Sequence, residues 1–242
     1  MPSGAAPVDR FPLTSRVWIE DHLARIGSSP SDPAAEAAHR ELSAFIMERY
    51  HEPLCAYVRA ARAQDLGTPE DLVASFFAHT LGTPANLQRW QLSRVPLRRW
   101  LMTGISLHCR GLRRDRARER ARCPSAAGAS LAQSHEPTPE SAFQRAWARG
   151  ILRAAAEQVS ADLAADGIAV AWTLFERHVI DGIPYAEAVA GLGIPPGKAR
   201  AVNRRVTNQV ARAIETVLAR EGVAKDLLAV TIDELRTAAS AA

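Results

Sequence analysis

Asp181-Gly182-Ile183-Pro184-Tyr185-Ala186-Glu187-Ala188-Val189-Ala190-Gly191-Leu192-Gly193-Ile194-Pro195-Pro196-Gly197-Lys198 reads as two helices joined by a tight turn. Pro184 presets the backbone for a helix start, so a short helix begins after it. Gly191 and Gly193 supply the backbone freedom a sharp turn needs. Pro195-Pro196 opens a second helix in the same way. Helix, glycine turn and helix in this order is the grammar of a helix-turn-helix. The second helix carries an apolar seam at Ala199, Val202, Val206, Val210, Ile214 and Val217. The opposite arc holds Lys198, Arg200, Arg204, Arg205, Asn208 and Arg212, with Asn203 at the edge of the seam. Basic residues that begin in the first turn are placed where such a helix meets a DNA major groove. Arginine can bond guanine with two parallel hydrogen bonds, and Asn208 can reach an adenine or a phosphate.

Outward from this stretch the chain is helical throughout. Alanine is about a fifth of the 242 residues, and glycine and proline are few. That composition favours helix over a sandwich or barrel. Arg16–Ile26 has the spacing of a short amphipathic helix, broken by Ser28-Ser29-Pro30. Asp32-Pro33 starts the next, which runs toward Tyr50, pauses at Pro53 and resumes through Ala63. Leu66-Gly67 is a stop, and Thr68-Pro69-Glu70 a new start. The helix Glu70–Leu81 places Val73, Phe76, Phe77 and Thr80 on one stripe. Gly82–Pro96 reads as a turn-rich loop, polar except for Leu87, Trp90 and Leu92, with Trp90 as a candidate functional aromatic. A long helix opens at Leu97, with a buried seam at Leu97, Leu101, Ile105, His108 and Leu112. Its opposite face is Arg99, Thr103, Ser106, Arg110, Arg113 and Arg114, a mixture that suits a phosphate backbone. Trp100 flanks the seam and reads as core. Cys123–Pro139 turns to Ala, Ser, Gly, Pro and Gln and reads as a linker. Helices resume over Glu140–Leu163 and Ile168–Ile180, and Val223–Ala242 reads as an amphipathic tail.

The net charge of +4 conceals a pattern. Residues 30–81 carry −4, residues 86–122 carry +9, residues 130–195 carry −4 and residues 196–220 carry +5. All but two of the 30 basic residues are arginine. Two acidic stretches, each followed by a basic one, are two modules in tandem, and local positive potential of this kind attracts polyanions.

Three blocks in order resemble the extracytoplasmic-function sigma factors of bacteria, over roughly Phe11 to Gly222. The first is Arg49-Tyr50 through Tyr57-Val58-Arg59, then Pro69-Glu70-Asp71-Leu72-Val73-Ala74-Ser75-Phe76-Phe77. It is similar to the family's polymerase-binding helix in region two. The second, Leu97-Arg98-Arg99-Trp100-Leu101 through Arg113-Arg114-Asp115-Arg116, is similar to the helix that engages the minus-ten element. The third is the stretch from Gly182 through Arg204-Arg205, similar to the region-four helix-turn-helix that reads the minus-thirty-five element. Phe11-Pro12 with Trp18, and Phe143 with Trp147, resemble a subgroup of the family.

The resemblance implies an all-α chain of two small helical domains, a region-two bundle and a region-four helix-turn-helix, joined by a flexible linker. Its divisions are an N-terminal extension (1–29), the first domain (30–122), the linker (123–139), the second domain (140–222) and a C-terminal tail (223–242). It implies core RNA polymerase and promoter DNA as partners, with an anti-sigma factor as a further candidate. Glu70, Asp71, Ala74, Ser75 and Phe77 would bind polymerase. Trp90, Arg94, Arg99, Trp100, Arg110, Arg113, Arg114 and Arg116 would capture the minus-ten DNA. Lys198, Arg200, Arg204, Arg205 and Asn208 would contact the upstream element. Ala74 and Ser75 depart from the Gln and acid usual in the family, and Gly111 or Leu107 falls where an Asn is common. The alternatives are a stand-alone helix-turn-helix regulator and a sigma-like adaptor that does not bind polymerase.

An enzyme is not expected. The seven histidines are scattered, and no paired histidines, glycine-rich phosphate loop or nucleophile elbow occurs. Cys55, Cys109 and Cys123 make neither a disulfide framework nor a zinc knuckle. No cofactor, metal or small-molecule substrate is expected. No apolar run reaches membrane-spanning length and the N-terminus lacks a signal peptide's apolar core, so a bacterial cytoplasm is the expected location.

Overall fold

The computed structural model describes residues 15–28, 33–93, 95–122, 138–220 and 232–233. Within these residues the regular structure is helical, with no strand. No helix among them is long and apolar enough to cross a membrane. Contacts divide the chain into two compact units, one spanning Arg16–Ala148 and one holding Arg149–Asp233. The division falls inside a helix, whereas the composition places it at the linker. Most of that linker (123–137), the first fourteen residues of the N-terminal extension, and the tail apart from Ile232 and Asp233 lie outside the described residues.

The first unit is built on a long helix. Helix α1 (Ser15–Ser28) buries Ile19, Leu23 and Ile26, spaced by four and three residues. His22 joins that buried face, and its Nε2 lies 3.1 Å from a carboxylate oxygen of Glu41. Helix α2 (Pro33–Ala60) runs through Pro53 without a break. The expected pause does not occur. Proline removes one backbone donor, but its ring is buried in the core with Leu54 and Tyr57, which offsets that loss. Beyond α2 the chain turns at Arg62, with φ of 48°, and buries Ala63 and Leu66.

Helix α3 (Pro69–Leu81) is capped by Thr68, whose Oγ1 accepts from the Asp71 backbone N–H at 3.1 Å. It buries Val73, Phe76, Phe77 and Thr80, as the stripe predicts. The stretch after it is a helix, α4 (Pro84–Ser93), where a loop is expected. Pro84 provides the start, and Leu87 and Trp90, three residues apart, provide a buried face. Polar composition misleads here because a short helix needs only two buried anchors. Helix α5 (Leu97–Arg122) crosses α3 closely at Gly104, where an added Cβ would lie 2.9 Å from the Phe76 ring. Its buried seam is Leu97, Leu101, Ile105 and Cys109. The small thiol of Cys109 takes the core position, and His108 and Leu112 are only half-buried.

Helix α6 (Pro139–Ala165) contributes its first turns, with Phe143, Ala146 and Trp147 buried, to the first unit. Its remainder, with Ile151, Ala155, Val159 and Leu163 buried, belongs to the second. There, helix α7 (Ala169–Phe175) widens into a π-helical turn at Glu176–Ile180 rather than continuing as one α-helix. Helix α8 (Tyr185–Ala188) and helix α9 (Pro196–Arg220) follow. Leu174, Ala188, Val189 and Ala199 form the core between them, with Ile183, Leu192, Ile194 and Val202 packed around it.

Candidate nucleic-acid interface

The turn between α8 and α9 has the left-handed backbone its glycines predict. Gly191 has φ of 75° and Gly193 of 66°. Two left-handed glycines with one residue between them fold the chain back so that α9 starts beside α8. The buried side of α9 is Ala199, Asn203, Val206, Ala213, Val217 and Leu218. Val202, Val210 and Ile214, expected in the seam, are half-buried. Asn203 is 8% exposed, deeper than an edge position. Its Nδ2 donates to the Tyr185 hydroxyl at 3.0 Å, which ties α9 to α8.

The π-helical turn supports this arrangement, and nothing in the hydrophobic pattern signals it. Arg177 donates to the carbonyls of Ala188 at 3.3 Å and Ala190 at 2.9 Å. It thereby satisfies acceptors that the end of α8 leaves open. His178 Nδ1 donates to the Ile183 carbonyl at 2.8 Å, and its ring stacks on Tyr185 with centroids 3.5 Å apart. Arg177 and His178 therefore fix the short helix against which α9 is placed.

On the opposite side of α9, Lys198, Arg200, Arg204, Arg205 and Asn208 are all exposed, as is Arg212. The side carries four cations and an amide within three turns, a positive strip with hydrogen-bond donors.

Helix α5 treats its arginines differently. Arg99, Arg110 and Arg114 are exposed. Arg113, also exposed, donates to the Arg62 carbonyl and to Asp65 Oδ1, both at 3.2 Å. Arg116 donates to the carbonyls of Asp65 and of Leu66, the latter at 2.6 Å. These two arginines clamp the turn between α2 and α3, which leaves fewer of their donors for a phosphate. Trp90 is not an exposed loop aromatic. It is 9% exposed, and its Nε1 donates to the Val95 carbonyl at 2.8 Å. A buried ring with a satisfied N–H belongs to the core of α4. Trp100 is half-buried, so part of its ring reaches the surface. Arg94 lies outside the described residues.

On α3, Glu70, Asp71, Ala74 and Ser75 are exposed together with Ala78, a face of small side chains flanked by acids. Glu70 pairs with Arg59 at 2.6 Å, and its pKa is lowered by a backbone hydrogen bond and by that guanidinium. Ser75 Oγ lies 3.2 Å from His108 Nε2. Burial and the neighbouring His79 push the His108 pKa down. Phe77, expected on the same surface, is 3% exposed and sits in the core, because it shares the stripe of Val73 and Phe76.

Cys55 and Cys109 are buried free thiols. Burial and the charge of Glu70 raise the Cys55 pKa to about 11, so at neutral pH it stays protonated and a poor nucleophile. No cluster of three or more metal-ligating side chains occurs among the described residues. The chain matches no protein-family model, no curated protein and no solved structure.

Proposed function

We propose that the chain is a promoter-specificity subunit of the extracytoplasmic-function sigma type, acting in a bacterial cytoplasm. The observation that carries the proposal is the exposed set Lys198, Arg200, Arg204, Arg205 and Asn208 on a helix that follows a left-handed glycine turn. In this reading α9 enters a major groove at an upstream promoter element. Arginine heads there discriminate bases, and each bidentate guanine contact is worth about 1–3 kcal/mol. The small exposed face of α3 docks on core RNA polymerase through Glu70, Asp71, Ala74 and Ser75. Arg99, Arg110, Arg114 and the exposed part of Trp100 meet the downstream element, where unstacked bases and displaced phosphates need a platform and cations. An anti-sigma factor is a further partner in this reading.

The proposal is tested by capture of core RNA polymerase on the immobilised full-length chain, beside a known sigma factor. Retention of polymerase, competed by the second factor, is the expected result. Failure to retain it under conditions that retain the other factor overturns the polymerase role. A second reading, a stand-alone helix-turn-helix regulator, draws on the first unit. Arg113 and Arg116 are engaged with the α2–α3 turn, and Trp90 and Phe77 are in its core. That reading predicts duplex DNA binding by the chain alone and no capture of polymerase.

A further inference from the structure

Two histidines from neighbouring helices of the first unit lie side by side. His79 is on α3 and His108 on α5, helices that pack closely where Gly104 meets Phe76. Their ring centroids are 6.0 Å apart, with the planes tilted by 32°. His79 is exposed and His108 is half-buried. The His108 ring is held from two further sides. Its Nε2 lies 3.2 Å from Ser75 Oγ, and its centroid lies 5.9 Å from that of Phe76. Ser75 and His79 stand one helical turn apart on α3 and so share a face. With Ser75 Oγ accepting from Nε2–H, Nδ1 of His108 is left as a bare lone pair. That Nδ1 has no hydrogen-bond partner among the described residues and is not sealed from solvent, and neither ring nitrogen of His79 has a partner among them. Burial and the neighbouring His79 keep the His108 pKa low, so its ring is neutral at neutral pH, the form that ligates a metal.

Imidazole nitrogens bind zinc at about 2.1 Å, which places the centroids of two ligating rings roughly 5–6.5 Å apart, from a tetrahedral to a linear arrangement. The observed separation falls in that range. Imidazole suits zinc, copper and nickel, whereas magnesium and calcium take oxygen ligands. A hydrogen bond from the second ring nitrogen to a fixed acceptor is the support that a ligating histidine ordinarily has. We propose that His79 and His108 together bind one divalent transition ion of the zinc class between α3 and α5, with Ser75 holding His108 in the ligating tautomer. No third His, Cys, Asp or Glu joins them among the described residues, so water completes the coordination and the ion is held less tightly than in a closed structural zinc site. The bound ion ties α3 to α5. The site does not rest on the reading of α9 or on capture of polymerase, although Ser75 also belongs to the exposed face of α3.

The test is titration calorimetry of the metal-free full-length chain with zinc chloride, with magnesium chloride as control, beside urea unfolding with and without zinc. The intact chain is expected to take up zinc, to ignore magnesium, and to unfold at a higher urea midpoint when zinc is present, because an ion that binds only the folded pair stabilises the folded state. His79→Gln, at an exposed position, and His108→Gln are each expected to weaken that uptake at least about tenfold and to abolish the zinc-dependent rise, with unchanged circular dichroism spectra. Ser75→Ala keeps both rings and is expected to weaken zinc about tenfold. Should His108→Gln fail to fold, His79→Gln and Ser75→Ala decide the matter. No zinc binding by the intact chain, equal binding of magnesium, or uptake unchanged in both histidine variants, which is adventitious binding elsewhere, overturns the proposal. Dependence on only one of the two rings overturns it as well, and so does zinc uptake without a rise in the urea midpoint. An unaltered affinity in Ser75→Ala removes Ser75 from the site. Failure of the polymerase or α9 experiments leaves these outcomes unaffected.

Discussion

Helices α5 and α9 have similar arginine-rich sequences and opposite uses for them. On α9 the cations stand clear of the protein, and the fold's own anchoring is done elsewhere, by Arg177 on the carbonyls of α8 and by Asn203 on Tyr185. On α5 the cations are divided. Arg113 and Arg116, themselves exposed, clamp the α2–α3 turn, Arg118 pairs with Asp115, and Arg99, Arg110, Arg114 and Arg120 are exposed. A basic helix is thus a count of charges until each guanidinium's partners are known. The helix with more arginines spends several of them on partners within the protein.

The comparison can be broken by substitutions that separate anchoring from binding. The largest effect is expected from Arg204→Ala with Arg205→Ala. In the proposed reading it costs about 1–3 kcal/mol of binding for each lost guanine contact, concentrated at particular base pairs. Competition binding against a set of point-substituted duplexes measures it, and thermal stability stays within about 0.5 kcal/mol because both side chains are exposed. Next is Tyr185→Phe, which leaves Asn203 Nδ2, on a buried side chain, without its hydroxyl partner. A stability loss of about 1–3 kcal/mol, read by urea unfolding, is expected. Arg116→Ala comes third. It releases two carbonyls of the α2–α3 turn and is expected to lower stability by about 1 kcal/mol, where Arg114→Ala has no such effect. If both arginines behave alike, the division of labour on α5 is wrong.

The smallest effect concerns pH. His108 has its folded pKa depressed by burial and by His79, so the folded state disfavours its protonation. Its contribution to stability is therefore present above the unfolded pKa of about 6.5 and is lost as pH falls through that value toward the folded one. Urea midpoints should decline from pH 7.5 to 5.5, and His108→Gln should flatten that decline.

The glycine turn between α8 and α9 was legible because its signals are local. Glycine needs at Gly191 and Gly193, proline at Pro184 and Pro196 and one apolar seam leave little choice of fold over those residues. Six of the basic and amide positions on α9 were placed by the same wheel. Helix α4 was not legible, because its polar residues outnumber its two buried anchors, and with it went the reading of Trp90. Phe77 shows a related limit. A stripe assigns a residue to the core, and the family pattern assigned the same residue to a partner surface. Packing decided for the core. Arg113 and Arg116 bond carbonyls some fifty residues away in sequence, and no periodicity reports such partners. Trp147 was noted for its resemblance to a subgroup, but its burial depends on how α6 meets α5.

Run-off transcription tests the central claim most directly. Core RNA polymerase is supplied with the full-length chain and templates drawn from a pool randomised at the upstream element. The account predicts transcripts that depend on the chain, enriched for particular upstream sequences, with that enrichment lost in the Arg204→Ala, Arg205→Ala protein. Transcripts absent with the intact chain, or enrichment unchanged by the double substitution, would contradict it.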